Sequence, residues 1–535
     1  MLANKKSLLA MSVAASLTLT GCFSDNDNNV KVDPPTPPTP TPTETVVPDT
    51  LVTEQPSKVF SVNVVNAANS DVLSGATVSF VVNGEPANVL TDVNGEDLSS
   101  VTVDETGNFT FLNKEGETGS VTALVASEGY ISKSFTVDLS AEVEGDANDI
   151  PLEFGLVSAA ATEGVEVAEE KAAVTGGTTA EAVTAAASGE GANAELTVPA
   201  NTEFQNAAGE AISGSEVTMS VIAADSSNAN TGAIIPAGLN DGSTTQVKKP
   251  VGVTSITMTD DTGAKIKKFS SPINVSVAIP SGNDIKVGDQ LDISSYDEDT
   301  GVWSEETNKA TVVSNGGALS AQFATDHLTF FSMNKSVPIC TDGVTVRVVG
   351  GTLPARGLAV SMTSPDGSIS SYLRSNSKQV ISGASTARFG ISSEAVAKVR
   401  LYDRAGNTWY EQENQGICGN VDVTLTNSVQ TIEKEVTLSG VCAADETKTA
   451  DLSGSIVTYA KDGKAASLAQ ALGNSTFKLS GIEVGGNYTV RATIRGAKVQ
   501  GGGQSQVFTF GNVQSADTLT GSVQLECNQV PVTGG

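Results

Sequence analysis

The sequence predicts an all-β protein built from tandem β-sandwich domains. Short runs that alternate apolar and polar residues recur along the chain, such as "GATVSFVVNG" (75–84) and "GSVTALVASEGY" (119–130). Gly, Asn or Asp bounds each run, which is typical of strands that end in tight turns. Helical periodicity is nearly absent. A chain of 535 residues with 39% hydrophobic residues implies several hydrophobic cores rather than one.

Residues 1–21 have the pattern of a secretory signal peptide. A short basic start precedes an apolar run at 8–19, which is too short to cross a membrane as a helix. The run ends in "LTGC", which resembles the bacterial lipobox. In that family the chain is cut before the cysteine, which is then acylated on its sulfur and on its new amine. The resemblance implies that Cys22 carries several acyl chains, and several chains anchor a protein stably to a membrane.

The residues after Cys22 favour an outer-membrane, cell-surface location. In enteric lipoproteins, which this signal resembles, Asp directly after the lipidated cysteine directs retention in the inner membrane, but Phe23 stands there. The "SDNDNN" stretch (24–29) looks like the tethers of some surface-exported lipoproteins, and a periplasm-facing chain is the alternative. The Pro-rich stretch at 33–50 predicts an extended polyproline II spacer. We therefore interpret residues 22–56 as a lipidated linker.

The charge of the chain excludes one class of partner. There are 31 Lys and Arg against 61 Asp and Glu, which gives a formal net charge of −30. Such a charge opposes binding to nucleic acid and to other anionic surfaces, and it favours solubility. The acidic residues are spread along the sequence. We interpret them as a solvated surface and expect no nucleic-acid partner.

Four cysteines remain besides Cys22, namely Cys340, Cys418, Cys442 and Cys527. An even number in an exported chain predicts two disulfide bonds, although four cysteines allow three pairings. We favour pairing Cys340 with Cys418 and Cys442 with Cys527, because the separations of 78 and 85 residues each enclose one domain-sized block. No C-x-x-C spacing occurs and the single histidine is distant in sequence, so neither a zinc site nor a c-type haem is predicted. No cofactor is expected.

Residues 57–152 resemble the carboxypeptidase-regulatory-like (transthyretin-like) β-sandwich. Three pieces match. "GATVSFVV" corresponds to a strand, "DETGNFTF" corresponds to a turn that leads into a strand, and "VTALVASEGY" closes the last strand. The resemblance implies a spacer or binding module that has no catalytic residues.

The same skeleton recurs in the second half of the chain. Residues 473–496 line up with 107–129, since each has a Phe-containing strand, a Gly-bearing turn and an alternating strand, and 387–406 is a looser third copy. Residues 338–441 and 442–535 are therefore interpreted as disulfide-closed relatives of the first block. The alternative is that β-sandwiches share such patterns generically.

Residues 153–337 resemble the ZU-type and UPA domain pair of ankyrin-like proteins and the related GAIN domain of adhesion receptors. The matching pieces are "VPANTEF", the "PAGL" turn and the closing "YDEDTGVW…ATDHLTFFSM". The block opens at 158–192 with a stretch rich in Ala, Gly, Thr and Glu. That stretch fits either small-residue strands or loosely ordered chain.

The single histidine, His327, lies in the closing motif of this block. In these families the motif is His, an apolar residue, then Ser or Thr, and some members cut their own chain between the last two. A hydroxyl is a poor nucleophile until a base within about 3 Å accepts its proton. The resemblance assigns that base to His327 and the attack on the Leu328 carbonyl to Thr329. The alternative is a packing role, because the receptor family's usual cysteine pair and second tryptophan are missing.

Other candidate sites rest on single patterns. Trp409 and Tyr410 in "GNTWYEQ" are a candidate pair for stacking on a sugar, with a core position as the alternative. The acidic groups at 297–299 and 260–261 lie in predicted hairpin turns, where they could bind calcium weakly without a full ligand set.

We therefore expect a lipid-anchored surface protein whose β-sandwich domains are strung out behind the Pro-rich spacer. It would act as a structural, adhesion or ligand-binding module, with a protein or a glycan as ligand and no enzymatic activity. Two alternatives are an autoproteolytic surface protein, which cuts itself between Leu328 and Thr329, and a carbohydrate-binding lipoprotein.

Overall fold

A computed structural model of the protein describes residues 43–144, 148–160, 162–280, 284–426 and 429–532. The predicted signal peptide, Cys22 and most of the linker lie outside the described residues, so the lipid anchor stays a prediction. Within the described part the chain is all-β apart from one short helix, which confirms the predicted fold class. No helix in these ranges is long and apolar enough to cross a membrane.

The first sandwich follows a short strand, β1 (Thr43–Val46), which pairs with the last strand, β39 (Asn528–Pro531). The strands of this sandwich are β2 (Val59–Asn66), β3 (Thr77–Val82), β4 (Glu85–Pro86), β5 (Leu90–Thr91), β6 (Ser100–Thr102), β7 (Asn108–Asn113), β8 (Ser120–Ala126), β9 (Lys133–Asp138) and β10 (Asp149–Leu156). A four-stranded sheet, β10-β2-β7-β5, packs against a sheet in the order β4-β3-β8-β9, in which β6 also pairs with β3. Alternation along the strands buries Phe60, Phe80 and Phe111 between the two sheets.

The second block forms one twelve-stranded sheet. Its elements are β11 (Val165–Ala173), β12 (Val183–Ser188), β13 (Asn193–Val198), β14 (Phe204–Gln205), β15 (Glu216–Ala224), α1 (Asn230–Ile234), β16 (Gln246–Asp260), β17 (Lys265–Ile266), β18 (Lys268–Ile279), β19 (Gln290–Asp297), β20 (Val302–Asn315), β21 (Ala318–His327) and β22 (Phe330–Pro338). The main path runs β11-β15-β16-β22-β19-β20-β21-β18-β13-β12. The stretch that the sequence left undecided therefore contains two strands, β11 and β12, of which β12 consists mainly of small residues. The resemblance to ZU/UPA or GAIN domains stays an expectation.

Two further sandwiches complete the chain. The third contains β23 (Val344–Gly350), β24 (Leu358–Ser364), β25 (Gly367–Leu373), β26 (Ser377–Ile381), β27 (Val396–Tyr402), β28 (Thr408–Gly416) and β29 (Gly419–Thr424). The fourth contains β30 (Thr431–Cys442), β31 (Asp445–Ala450), β32 (Ile456–Lys461), β33 (Ser467–Leu468), β34 (Gln470–Gly473), β35 (Thr476–Glu483), β36 (Tyr488–Thr493), β37 (Ser505–Phe510) and β38 (Leu519–Leu525).

The three sandwiches share one strand order. In each, the first strand runs parallel to the last strand on one side and antiparallel to a middle strand on the other. Thus β2 lies between β10 and β7, β23 lies between β29 and β26, and β30 lies between β38 and β35. The opposite sheets also agree, as β4-β3-β8-β9, β25-β24-β27-β28 and β33-β32-β36-β37. The alignment of 107–129 with 473–496 is right, because the two segments contain β7-β8 and β35-β36.

The third copy of the skeleton is only half right. Within 387–406, β27 is the equivalent of β8 and β36, but residues 383–390 form turns. The equivalent of the Phe-containing strand is β26, earlier in the chain. Its sequence, "SKQVI", has no aromatic residue, so the pattern that marks the other two copies is missing here.

Two predicted boundaries differ from the observed sheets. β10 continues to Leu156, past the boundary at 152, and β30 begins at Thr431, before the boundary at 442. β30 is long because its first half pairs with β35 and its second half with β38. Buried and exposed positions alternate along "TIEKEVTLSGVC", and no turn signal separates the two halves.

The disulfide bonds follow the pairing that the sequence separations favoured. Cys340 is bonded to Cys418 and Cys442 to Cys527, with Cα–Cα distances of 5.6 and 5.4 Å. The first pair precedes β23 and β29, whereas Cys442 ends β30 and Cys527 follows β38. Each bond therefore joins the first and last strands of its sandwich at one end of their parallel pair.

Residues Thr45–Gln529 form one compact unit, so the sandwiches are not strung out as expected. Polar contacts join them. Asp149 on β10 is 2% exposed and accepts a hydrogen bond from Arg374 Nη2 of the third sandwich at 2.7 Å. Asn63 on β2 exchanges two hydrogen bonds with the backbone of Ala466 in the fourth sandwich, at 3.0 and 2.8 Å. Buried charges and amides require such partners, so these contacts determine how the sandwiches pack.

The last part of the predicted linker packs against the fourth sandwich, which corrects the expectation of a free spacer in this region. The Val52 N–H donates to a backbone carbonyl of that sandwich at 3.0 Å, and Gln55 Nε2 donates to the Ser455 carbonyl at 2.7 Å. Leu51 packs against its core. Apolar side chains after the Pro-rich stretch give this segment surface to bury.

Removing the first disulfide should destabilise the third sandwich in particular. We expect Cys340→Ala with Cys418→Ala to lower its free energy of unfolding by about 2–5 kcal/mol, because the bond restricts the unfolded chain. Trp409 lies in the core of this sandwich, so its fluorescence during urea unfolding, in a Trp303→Phe background, reports the change locally.

The matched control for this measurement is Cys442→Ala with Cys527→Ala. It opens the other disulfide and should shift the Trp409 transition much less. Equal shifts in the two double variants would contradict a local stabilising effect.

Candidate functional site

The ring of His327 is about one-third exposed at the end of β21. Its Nε2 lies 3.3 Å from Glu306 Oε1, and its Nδ1 lies 3.2 Å from both Thr325 Oγ1 and Asp326 Oδ1. The ring also packs against Phe331, with 5.6 Å between the ring centroids. Both ring nitrogens therefore have polar neighbours other than Thr329.

Thr329 lies between β21 and β22 and is 4% exposed. Its hydroxyl donates to the Tyr296 carbonyl, and its own carbonyl accepts the Ile256 N–H at 3.2 Å. Among the described residues, no hydrogen bond joins the His327 ring to the Thr329 hydroxyl. The structure thus does not bring together the base and the nucleophile that self-cleavage at Leu328 needs. These contacts favour the packing role, and self-cleavage stays a prediction.

The indole N–H groups of both tryptophans donate hydrogen bonds within the protein. Trp409 is 4% exposed in the core of the third sandwich, and its indole N–H donates to Asp403 Oδ2 at 2.9 Å. This is the core position that was the alternative to sugar stacking, so its ring is not free to stack on a ligand. Trp303 packs on Tyr296, with 5.2 Å between ring centroids, and donates to the Ala237 carbonyl at 3.0 Å.

The carboxylates of the two acidic turns form hydrogen bonds and ion pairs with other groups of the protein. Asp260 Oδ1 accepts the N–H groups of Thr262 and Ala264 at 3.0 and 2.8 Å. Asp299 forms ion pairs with Lys265 and Lys267, each at 2.7 Å. In the part of the chain that the structure describes, no three or more His, Cys, Asp or Glu side chains are grouped to hold a metal ion. Weak calcium binding stays a prediction.

A cleft of about 1040 Å³ lies between the first sandwich and the twelve-stranded sheet. On one side, the turn between β19 and β20 approaches the first sandwich closely. A Cβ on Gly301, whose φ is 75°, would lie 3.2 Å from the side chains of Val81 and Leu124, so both the backbone conformation and the close approach favour glycine. On another side, the Ala237 N–H donates to Ser134 Oγ at 3.0 Å. These contacts fix the spacing of the two walls.

Two polar groups in this cleft lack a full set of partners. Tyr296 is 2% exposed, and its hydroxyl has no hydrogen bond of ordinary geometry in the described protein, although Ser134 lies nearby. Glu298 accepts the Ser255 hydroxyl at 3.0 Å, and burial raises the pKa of its carboxyl. The neighbouring lysines bind Asp299 instead. Sequence patterns could not identify this site, because segments far apart in the chain form it.

A smaller cavity of about 140 Å³ is lined by residues of the first sandwich, the segment after α1 and the third sandwich. Lys133 on β9 lines it, and burial lowers the pKa of its ammonium group to about 7. Its Nζ donates to the Gly232 carbonyl at 3.1 Å and to Ser368 Oγ at 2.6 Å. Asp366 lines the same cavity; burial raises its pKa to about 6, and its Oδ1 has no partner in the described protein. Neither ionisable residue belonged to a recognisable sequence motif.

No protein-family model matches the chain, and no curated protein matches it. Pilins are among the solved structures to which the chain is similar. The major pilin subunit of Bacillus cereus is 10% identical, with a TM-score of 0.13 and coverage of 88% of this chain and 99% of that one. The major pilin SpaD from Corynebacterium diphtheriae is 9% identical (TM-score 0.15, 88% and 98%), and a streptococcal ancillary pilin is 10% identical (TM-score 0.16, 46% and 95%). Such low TM-scores support no statement about the function of this chain.

Thr329→Val should destabilise the second block and leave the chain uncut. The variant leaves the buried Tyr296 carbonyl without its donor, which should cost about 1–3 kcal/mol of unfolding free energy. Thr329→Ser, the control, keeps the donor and should lose less. Intact-mass analysis should find one uncut chain for the parent and for His327→Ala. A fragment that begins at Thr329 in the parent alone would establish self-cleavage instead.

Lys133→Met should change how stability depends on pH. Because burial lowers the pKa of Lys133 from 10.5 to about 7, the unfolded chain binds more protons than the folded chain between these two values. The contribution of Lys133 to stability is therefore least favourable below about pH 7 and improves as the pH rises toward 10.5.

The variant should thus gain stability relative to the parent at about pH 6, and this advantage should be clearly smaller at about pH 9, measured by urea unfolding. Lys171→Met removes an exposed lysine and should show little such change. A pH-independent difference between Lys133→Met and the parent would contradict the lowered pKa.

Proposed function

We propose that the mature chain is a lipid-anchored module of the outer-membrane surface, with a structural or adhesion role and no enzymatic activity of its own. The observation that carries this proposal is the set of three sandwiches with one strand order, packed into a single unit. Two of them are closed by disulfide bonds, which persist in exported proteins. A repeated, cross-linked β framework suits a protein that presents a rigid surface outside the cell.

The reactive side chains support the same proposal. The ring nitrogens of His327 face Glu306, Thr325 and Asp326, and the Thr329 hydroxyl is committed to a backbone carbonyl. These groups stabilise strand ends rather than a reaction. A net charge of −30 opposes nucleic acid, so the partner that we propose is a protein or a glycan.

Trypsin treatment of intact cells tests both the anchor and the exposed location. Lys31 is the single Lys or Arg between Cys22 and Lys58 in the sequence. If the chain is displayed on the surface, trypsin should release a fragment that begins at Val32 while a periplasmic marker stays intact. Lys31→Gln is the matched control and should abolish this release.

Two results would overturn the proposal. Release only after the outer membrane is permeabilised would place the chain on the periplasmic side. A Cys22→Ala variant that still sediments with membranes and still incorporates a labelled fatty acid would remove the lipid anchor at that residue.

A further inference from the structure

The two walls of the large cleft are β-sheet faces that carry hydroxyl groups among apolar side chains. On β3, Val78 and Phe80 point into the core of the first sandwich, while Thr77 and Ser79 line the cleft. On β16, the alternate apolar residues are buried, and Thr257 lines the cleft from the other side. Period-2 alternation therefore places hydroxyl groups on both walls.

Two contacts between the first sandwich and the second block keep these walls apart. The turn at Gly301 and the Ala237–Ser134 hydrogen bond hold the gap between them at a fixed width. The cleft is thus pre-formed, and its volume of about 1040 Å³ reaches the upper end of the range that ligand sites occupy.

The inner part of the cleft combines apolar surface with unsatisfied polar groups. Ile222 and Phe330 line it there, next to the Tyr296 hydroxyl, which has no hydrogen bond of ordinary geometry in the described protein and lies near Ser134. Glu298 lies close by, with the Ser255 hydroxyl as its hydrogen-bond donor. A buried hydroxyl without a partner has lost its hydration without compensation, so a ligand that reaches it gains an interaction.

We propose that this cleft binds a short neutral oligosaccharide. Sugar hydroxyls would pair with Tyr296 and Glu298, and the threonines and serines of the two walls would bond the remaining hydroxyls along the chain. The apolar face of a pyranose ring would rest on Ile222 and Phe330. This assigns the glycan ligand to the cleft and not to Trp409, which is buried.

Neutral sugars fit better than the other ligand classes. An alkyl chain would leave the wall hydroxyls facing apolar atoms, which disfavours it. An anionic ligand would meet Glu298, Asp299 and Glu169, while Lys265 and Lys267 are already paired with Asp299. The site would supply a ligand for the proposed adhesion role, but it does not depend on the lipid anchor.

Calorimetric titration of the purified Cys22→Ala chain with maltotriose, cellotriose and chitotriose tests the proposal. We expect saturable binding of at least one of these trisaccharides. Thr257→Trp fills the cleft from an exposed position and should weaken that binding at least tenfold. Thr520→Trp is the matched control, since it makes the same exchange on an exposed strand position of the fourth sandwich and should bind like the parent.

Tyr296→Phe removes only the unpartnered hydroxyl and should weaken binding by about threefold to tenfold. Its urea midpoint, compared with that of the parent, shows whether it is folded. Absence of binding for all three trisaccharides overturns the proposal, and so does binding that Thr257→Trp leaves unchanged. Because the titration uses soluble protein, a negative result would not count against the proposed surface anchor. A negative result in the trypsin treatment of intact cells would likewise not count against sugar binding in the cleft.

Discussion

The pairing of the first strand with the last strand holds each sandwich together. In the first sandwich, β2 and β10 pair in parallel from Val59 opposite Asp149 to Asn66 opposite Leu156. Such pairs join residues far apart in sequence, so the entropy of loop closure opposes them. In the third and fourth sandwiches a disulfide bond at one end of the pair offsets that entropy. The first sandwich has no cysteine, and there Arg374 binds Asp149 where β10 begins.

Buried polar contacts between the sandwiches select one packing arrangement. Glu153 on β10 accepts a hydrogen bond from the Tyr402 hydroxyl of the third sandwich, close to the guanidinium groups of Arg400 and Arg404. Removing one partner would leave another buried polar group unpaired, and that penalty exceeds the net contribution of the contact. We infer that these contacts contribute more to the uniqueness of the arrangement than to its total stability.

Local patterns made much of the fold predictable, whereas the sites depend on contacts between distant segments. Alternation and Gly-bounded turns are local, so the sandwiches and two copies of their skeleton could be recognised. β26 could not, because it lacks the aromatic residue of its equivalents, and β11 and β12 were ambiguous because Ala carries little strand preference. The motif at His327 was visible in sequence, but the partners of its ring were not. The cleft around Tyr296 has no sequence signature at all.

The parallel pairing of first and last strands has a mechanical consequence. The chain enters each sandwich at the start of one strand and leaves at the end of its parallel neighbour. In the first sandwich, which has no disulfide bond, a pull on the two ends therefore drags β2 and β10 past each other. Their ladder hydrogen bonds then share the load in shear instead of opening one after another. In the third sandwich the Cys340–Cys418 bond carries tension directly across, and residues 341–417 bear none of it. A protein built in this way resists being drawn out under force.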